Sequence, residues 1–191
     1  MTRLVLFLSV LALAACQSAA PPAPGGDAGG DGPLSDASVY HIDAVWGTDS
    51  GESVTLADLR GGPVALAMVY ADCGTACPMI VHDMKQIGEA AGVPLRYVLV
   101  TLDPARDTPE KLRAFRAMHG MGDEWTMLRG TDDDVRTLAA VLGVRYRSDP
   151  NGTIAHSNLI TLLDAGGDVV AQQEGLGADP APAVAALRTD S

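Results

Sequence analysis

The sequence predicts an α/β fold, a central mixed sheet flanked by helices. Three observations carry it. Residues 63–71 (PVALAMVYA) and 95–102 (LRYVLVTL) are continuous apolar runs of the kind covered on both faces of a sheet. Each is followed by a segment with helical spacing, and a hairpin pattern with a short helix closes the chain after residue 157. With 191 residues and 47% hydrophobic content, the chain holds one domain with appendages.

In order, residues 1–15 read as a signal peptide: one arginine, then a run of roughly a dozen apolar residues, too short for a spanning helix of about 20. LALAAC resembles the bacterial lipobox, which makes Cys16 a lipidated residue and the new N-terminus. Residues 16–33, rich in Pro and Gly, read as a flexible tether, and the domain spans 34–191. VYHIDAVW and SVTL, around GTDSGE, predict an N-terminal hairpin. After the strand at 63–71, PMIVHDMKQIGEAAG places Met79, Ile80, Met84 and Ile87 at core spacing on a helix ended by Gly92. After the strand at 95–102, Thr108 as N-cap and Pro109 at the first position open a second helix that stops at Gly120. WTMLRG is a short strand, and residues 131–143 are a helix with acids in its first turn and Gly143 past its end. SNLITLLD, AGGD and VVAQQ form the last hairpin, before a helix near PAVAALRT. The order βαβ then ββα is that of a thioredoxin-like fold.

The formal charge is −11, with 24 acidic against 13 basic residues and no Lys/Arg cluster, which argues against nucleic acid as a partner. Tether and acidic surface together point to a monomer. If Cys16 is taken by lipid, two of the three cysteines remain, Cys73 and Cys77, in an exported domain where oxidation can occur.

The stretch ADCGTACPMI holds that pair. Pro78 disfavours helical angles at Cys77, so the helix is expected to start at Pro78 with Cys77 as N-cap and Cys73 in the loop before it. The helix dipole then lowers the Cys77 pKa and favours a thiolate, for disulfide exchange or for metal. Both chemistries stay open. Paired thiolates select Cu(I) or Zn(II), but two ligands make a weak site, so a third is required. Of the four histidines, His41 and His119 read as surface residues and His82 as outward-facing on its helix. His156 starts a strand. If that strand runs antiparallel to the parallel pair, its beginning lies on the rim where open α/β sheets keep their sites, with the cysteine loop and Asp103.

Cys73, Cys77 and Pro78, DPARDTPEKL from Asp103, and HSNLITLLD from His156 together resemble the Sco/SenC family of copper-binding, thioredoxin-like proteins, over roughly residues 40–175. The resemblance implies a copper site of Cys73, Cys77 and His156 able to hold Cu(I) and Cu(II), with Asp103 tuning it or docking a partner, or else serving as a structural turn. It implies a metallochaperone that delivers copper to, or reduces, the binuclear copper centre of cytochrome c oxidase, or serves another copper or thiol protein. A thiol-disulfide oxidoreductase using Cys73 and Cys77 is the alternative. Gly74, Thr75 and Ala76 depart from the family's usual intervening residues, and Ala155 replaces an acid often found before the histidine. A lipid anchor implies a cell-envelope protein facing the periplasm or exterior. Gln17 stands where an aspartate would retain it in the inner membrane, which leaves both the inner and the outer membrane open.

Overall fold

The computed structural model describes residues 32–189. The expected signal peptide, Cys16 and most of the tether lie outside the described residues. Nine strands and four helices follow one another as β1 (Trp46–Thr48), β2 (Ser53–Val54), β3 (Val64–Val69), α1 (Ala76–Ala91), β4 (Arg96–Thr101), α2 (Pro109–Met118), β5 (Trp125–Arg129), α3 (Asp132–Leu142), β6 (Tyr146–Ser148), β7 (Ile154–His156), β8 (Leu159–Leu163), β9 (Val169–Glu174) and α4 (Ala181–Thr189). Seven strands form one sheet in the order β2-β1-β5-β4-β3-β8-β9, and β6 and β7 form a separate pair. Among the described residues no helix is long and apolar enough to cross a membrane.

The sheet is mixed for the reason the sequence predicts. All six residues of β3 are buried, and β3 and β4 pair in parallel from Val64↔Arg96 to Val69↔Thr101 through the helical crossover that α1 supplies. β4 and β5 are also parallel. On the other side β8 runs antiparallel to β3, with Ala67 opposite Ile160. The chain before Ile160 therefore lies beside the carboxyl ends of β3 and β4, the rim at which loop residues 70–75 and 102–108 also emerge. β8, β9 and α4 complete the thioredoxin-like order, with α4 against α1: Arg188 donates to the Ala90 and Ala91 carbonyls at 3.1 and 3.3 Å.

Local signals set the helix ends. Thr108 accepts the Lys111 N–H with Pro109 next in line, Thr131 and Asp134 form a capping box, and Gly143 ends α3 at φ 75°. Four expectations are corrected. The N-terminal hairpin is shorter than predicted, because residues 39–41 form a 3-10 turn, capped by the Ser38 hydroxyl, that carries the exposed His41. Only Trp46–Thr48 and Ser53–Val54 pair. Helix α1 starts at Ala76 with Thr75 as N-cap, so Cys77 sits inside the first turn. Met79 is exposed on that turn while Met84 is in the core. His156 does not start β8 but ends β7, a strand the sequence reading did not separate.

Candidate metal centre

Cys73 leaves the carboxyl end of β3 and is half-buried; Cys77, one turn on, is completely buried. The start of α1 explains their relation. The Thr75 side chain makes no capping hydrogen bond, and instead the Cys77 N–H donates to Cys73 Sγ at 3.3 Å. The sulfur of Cys73 therefore caps the helix. It collects the positive end of the dipole that the sequence reading assigned to Cys77.

The acidities follow this division. Partial burial pushes the Cys73 thiol up, but hydrogen bonds from the Cys77 thiol and from the N–H groups of Cys77, Thr75 and Ala76 outweigh it, and the net shift is downward. Burial pushes the Cys77 thiol well up, and its bond to Cys73, the Cys73 charge and the Asp107 carboxylate add to that. Of the two, Cys73 ionises first.

His156 reaches the pair from the β6–β7 hairpin. Its Nε2 lies 3.8 Å from Cys77 Sγ, and the ligand atoms of Cys73, Cys77 and His156 all fall within 4.8 Å of one another. The other ring nitrogen, Nδ1, lies 3.1 Å from the Ser157 carbonyl, which can only accept, so Nδ1 carries the proton and Nε2 presents its lone pair to the sulfurs. Burial lowers the His156 pKa, partly offset by that carbonyl, and so favours the neutral ring. The Tyr70 ring meets the imidazole edge-on at 6.0 Å between centroids. The Ser157 carbonyl thus supplies the contact behind the ring that orients it. No side-chain motif announces a backbone carbonyl.

The chemistry of this donor set is that of a soft metal. With metal–sulfur and metal–nitrogen bonds of about 2.3 and 2.0 Å at a trigonal angle, sulfur and nitrogen stand about 3.7 Å apart, close to the separation found here. Two thiols and a neutral imidazole suit copper in either oxidation state or zinc.

Asp103 is not in this group of metal-capable side chains among the described residues. Its carbonyl accepts the N–H groups of Arg106 and Asp107 in a tight turn, and its carboxylate pairs with Arg106 Nε at 2.5 Å. Asp107, four residues on in the same motif, carries no sequence signal of its own and is the better buried. It accepts the Ala71 N–H at 2.9 Å and the Thr101 hydroxyl at 2.5 Å, with Lys111 Nζ 3.5 Å from Oδ1. Its Oδ1 has this charge partner but no hydrogen bond. Asp107 thereby ties the strand-end loop that carries Cys73 to the neighbouring strand. Of the remaining histidines, His82 is exposed and His119 is half-buried against Phe115, at 4.3 Å between centroids.

Against known proteins, the SCO1/SenC family profile matches residues 46–189, from the first strand through the last helix. The SCO1 protein homolog of Bacillus subtilis is 23% identical over 133 residues, 66% of this chain and 69% of that protein. The chain spans between 57% and 69% of the length of the curated relatives it matches. Arabidopsis thaliana ScoI, solved with copper bound, superposes with a TM-score of 0.68 at 21% identity, covering 76% of this chain and 96% of that one. BsSco, described as a member of the Sco family of cytochrome c oxidase assembly proteins with a disulfide switch, gives 0.66 at 21%, covering 78% and 92%. The structural likenesses establish the fold. Together with a profile match over three quarters of its length, the two cysteines and the histidine drawn to one rim of a thioredoxin-like sheet leave a single conclusion: the chain belongs to the SCO1/SenC family.

Proposed function

We propose that this protein is a membrane-tethered copper metallochaperone, anchored by lipid at Cys16, that holds one copper through Cys73, Cys77 and His156. Its recipient is the binuclear copper site of cytochrome c oxidase. The observation that carries the reading is the convergence of two thiols and a neutral imidazole nitrogen within 4.8 Å. The copper-bound state of ScoI and the assembly role stated for BsSco support it. Copper is the cargo. Delivery by ligand exchange needs one ligand that a partner can reach and one that stays behind. Half-buried Cys73 is the first, and Cys77, with no exposure at all, is the second.

The test is titration of the reduced full-length protein with Cu(I) and Cu(II). One copper per chain, with a thiolate-to-Cu(II) charge-transfer band, is expected. Absence of stoichiometric copper would overturn the reading.

The unequal acidities favour a second role for the same pair, thiol-disulfide exchange. The Cys73 thiolate attacks a partner disulfide and releases one partner thiol. Cys77 then loses its proton and attacks the mixed disulfide, which releases the second thiol and leaves a Cys73–Cys77 disulfide. In the metal-free reduced protein, iodoacetamide is therefore expected to modify Cys73 at least about tenfold faster than Cys77. Mass spectrometry of the labelled peptides reads the ratio, and equal rates would remove the basis for assigning Cys73 as the nucleophile.

A further inference from the structure

The histidine of the site rides on the one pair of strands outside the main sheet among the described residues. At the base of the hairpin, Ser157 N–H donates to the Arg145 carbonyl at 2.8 Å, and the register puts Tyr146 opposite His156. Ile154 anchors the middle in the core. The tip is a tight turn in which the Asp149 carboxylate accepts the N–H groups of Asn151 and Thr153, both at 2.9 Å, and Gly152 takes a φ of 85°. A two-stranded pair of three-residue strands is only marginally stable by itself. Something outside it has to hold it down.

Arg106 does so from the rim. Its Nε donates to the Asp103 carboxylate at 2.5 Å, and its NH2 nitrogen donates to the Gly152 carbonyl at 2.5 Å, across 46 residues of sequence. The guanidinium lies directly against the Gly152 Cα, a position whose φ of 85° favours glycine. Asp103 is itself fixed, because its N–H donates to the Thr101 hydroxyl at 2.9 Å and its carbonyl closes the turn that carries Arg106. The planar fork of the guanidinium joins a fixed carboxylate to a loop carbonyl, which an ammonium cannot do with the same geometry.

We infer that Arg106 is a positioning residue for His156: it clamps the hairpin tip to the carboxyl-end rim and so holds the imidazole over the two sulfurs. Asp103 acts at one remove, by aiming the guanidinium. The consequence for copper rests on the metal site proposed above; the clamp itself does not.

The experiment is NMR on the metal-free, reduced full-length protein, comparing Arg106→Ala, Arg106→Lys and, as a control arginine away from the hairpin, Arg113→Ala. In Arg106→Ala, amide exchange over residues 146–156 is expected to rise roughly tenfold, the cost of a charge-assisted hydrogen bond, with β3 and β4 unchanged. The His156 ring protons, which sit against Tyr70, should move toward free-histidine values. Arg106→Lys should restore these signals only in part, and Arg113→Ala should leave them alone. Wild-type exchange and His156 resonances in Arg106→Ala, or equal changes in Arg113→Ala, would overturn the clamp. Copper titration of the same variants follows, with an affinity loss of about tenfold expected for Arg106→Ala. An unchanged affinity despite a displaced hairpin would overturn the positioning role. Failure of the wild type to bind copper would instead overturn the metal site, and the clamp would stand or fall on the NMR.

Discussion

His156→Ala is expected to weaken Cu(II) binding at least about 100-fold and to erase the thiolate-to-Cu(II) charge-transfer band. The estimate exceeds the 10- to 100-fold that removal of a contact behind a ligand costs, since here the ligand itself goes. The same change should affect Cu(I) less, because two thiolates already satisfy a soft monovalent ion better than a divalent one. Stability should fall by less than about 1 kcal/mol, for the imidazole is half-buried on a strand pair outside the main sheet. Cys77→Ala distinguishes the ligands further. It removes the completely buried sulfur and so should abolish tight binding of both oxidation states. Equilibrium titration against a competing chelator measures each affinity, and optical spectra of the Cu(II) forms report the band. A His156→Ala protein with wild-type Cu(II) affinity and spectrum would eliminate the three-ligand site.

How far this site could be read from the sequence depends on the range of each contact. The apolar runs of β3 and β4, the threonine caps of α2 and α3 and the glycine after α3 are local signals, and the elements stand where they predict. The antiparallel direction of β8, which the Ala67↔Ile160 pairing provides, brings the chain before it to the rim of the cysteines, while the β6–β7 pair sets His156 itself. The β6–β7 hairpin was missed although its turn, Asp149-Pro150-Asn151-Gly152, is composed of turn formers. Its strands are three residues each, too short for alternation to register. The exchange of roles between the cysteines was also hidden. Pro78 pointed to a helix start at itself, but proline is tolerated anywhere in the first turn, and here the turn begins at Ala76 so that its free N–H groups face Cys73. The Ser157 carbonyl, the Arg106 clamp and the Asp107 tie involve backbone atoms or partners far apart in sequence, and only the folded chain brings them together.

Asp107→Ala is expected to destabilise the protein by about 3 kcal/mol, the order found when buried hydrogen-bonded groups lose a charged partner, which corresponds to roughly 6–12 °C in Tm for a chain of this size. Asp107 is completely buried, and its removal leaves the Ala71 N–H and the Thr101 hydroxyl without their acceptor. The Lys111 charge is the lesser loss, because Lys111 also pairs with exposed Asp72 at 2.6 Å. Asp107→Asn keeps one acceptor oxygen in nearly the same volume, so its cost should be closer to about 1 kcal/mol. Urea unfolding, followed by fluorescence of the buried Trp46 and Trp125, measures both. An Asp107→Ala variant within about 0.5 kcal/mol of wild type, the range of an ordinary surface change, would show that the tie does not hold the fold. The asparagine variant also separates fold from site. Burial is the first cause of the raised Cys77 thiol, followed by Cys73, and the Asp107 carboxylate contributes after them. Neutralising it should bring the Cys77 pKa down while the protein stays folded, and so narrow the difference in acidity that makes Cys73 the thiol to ionise first.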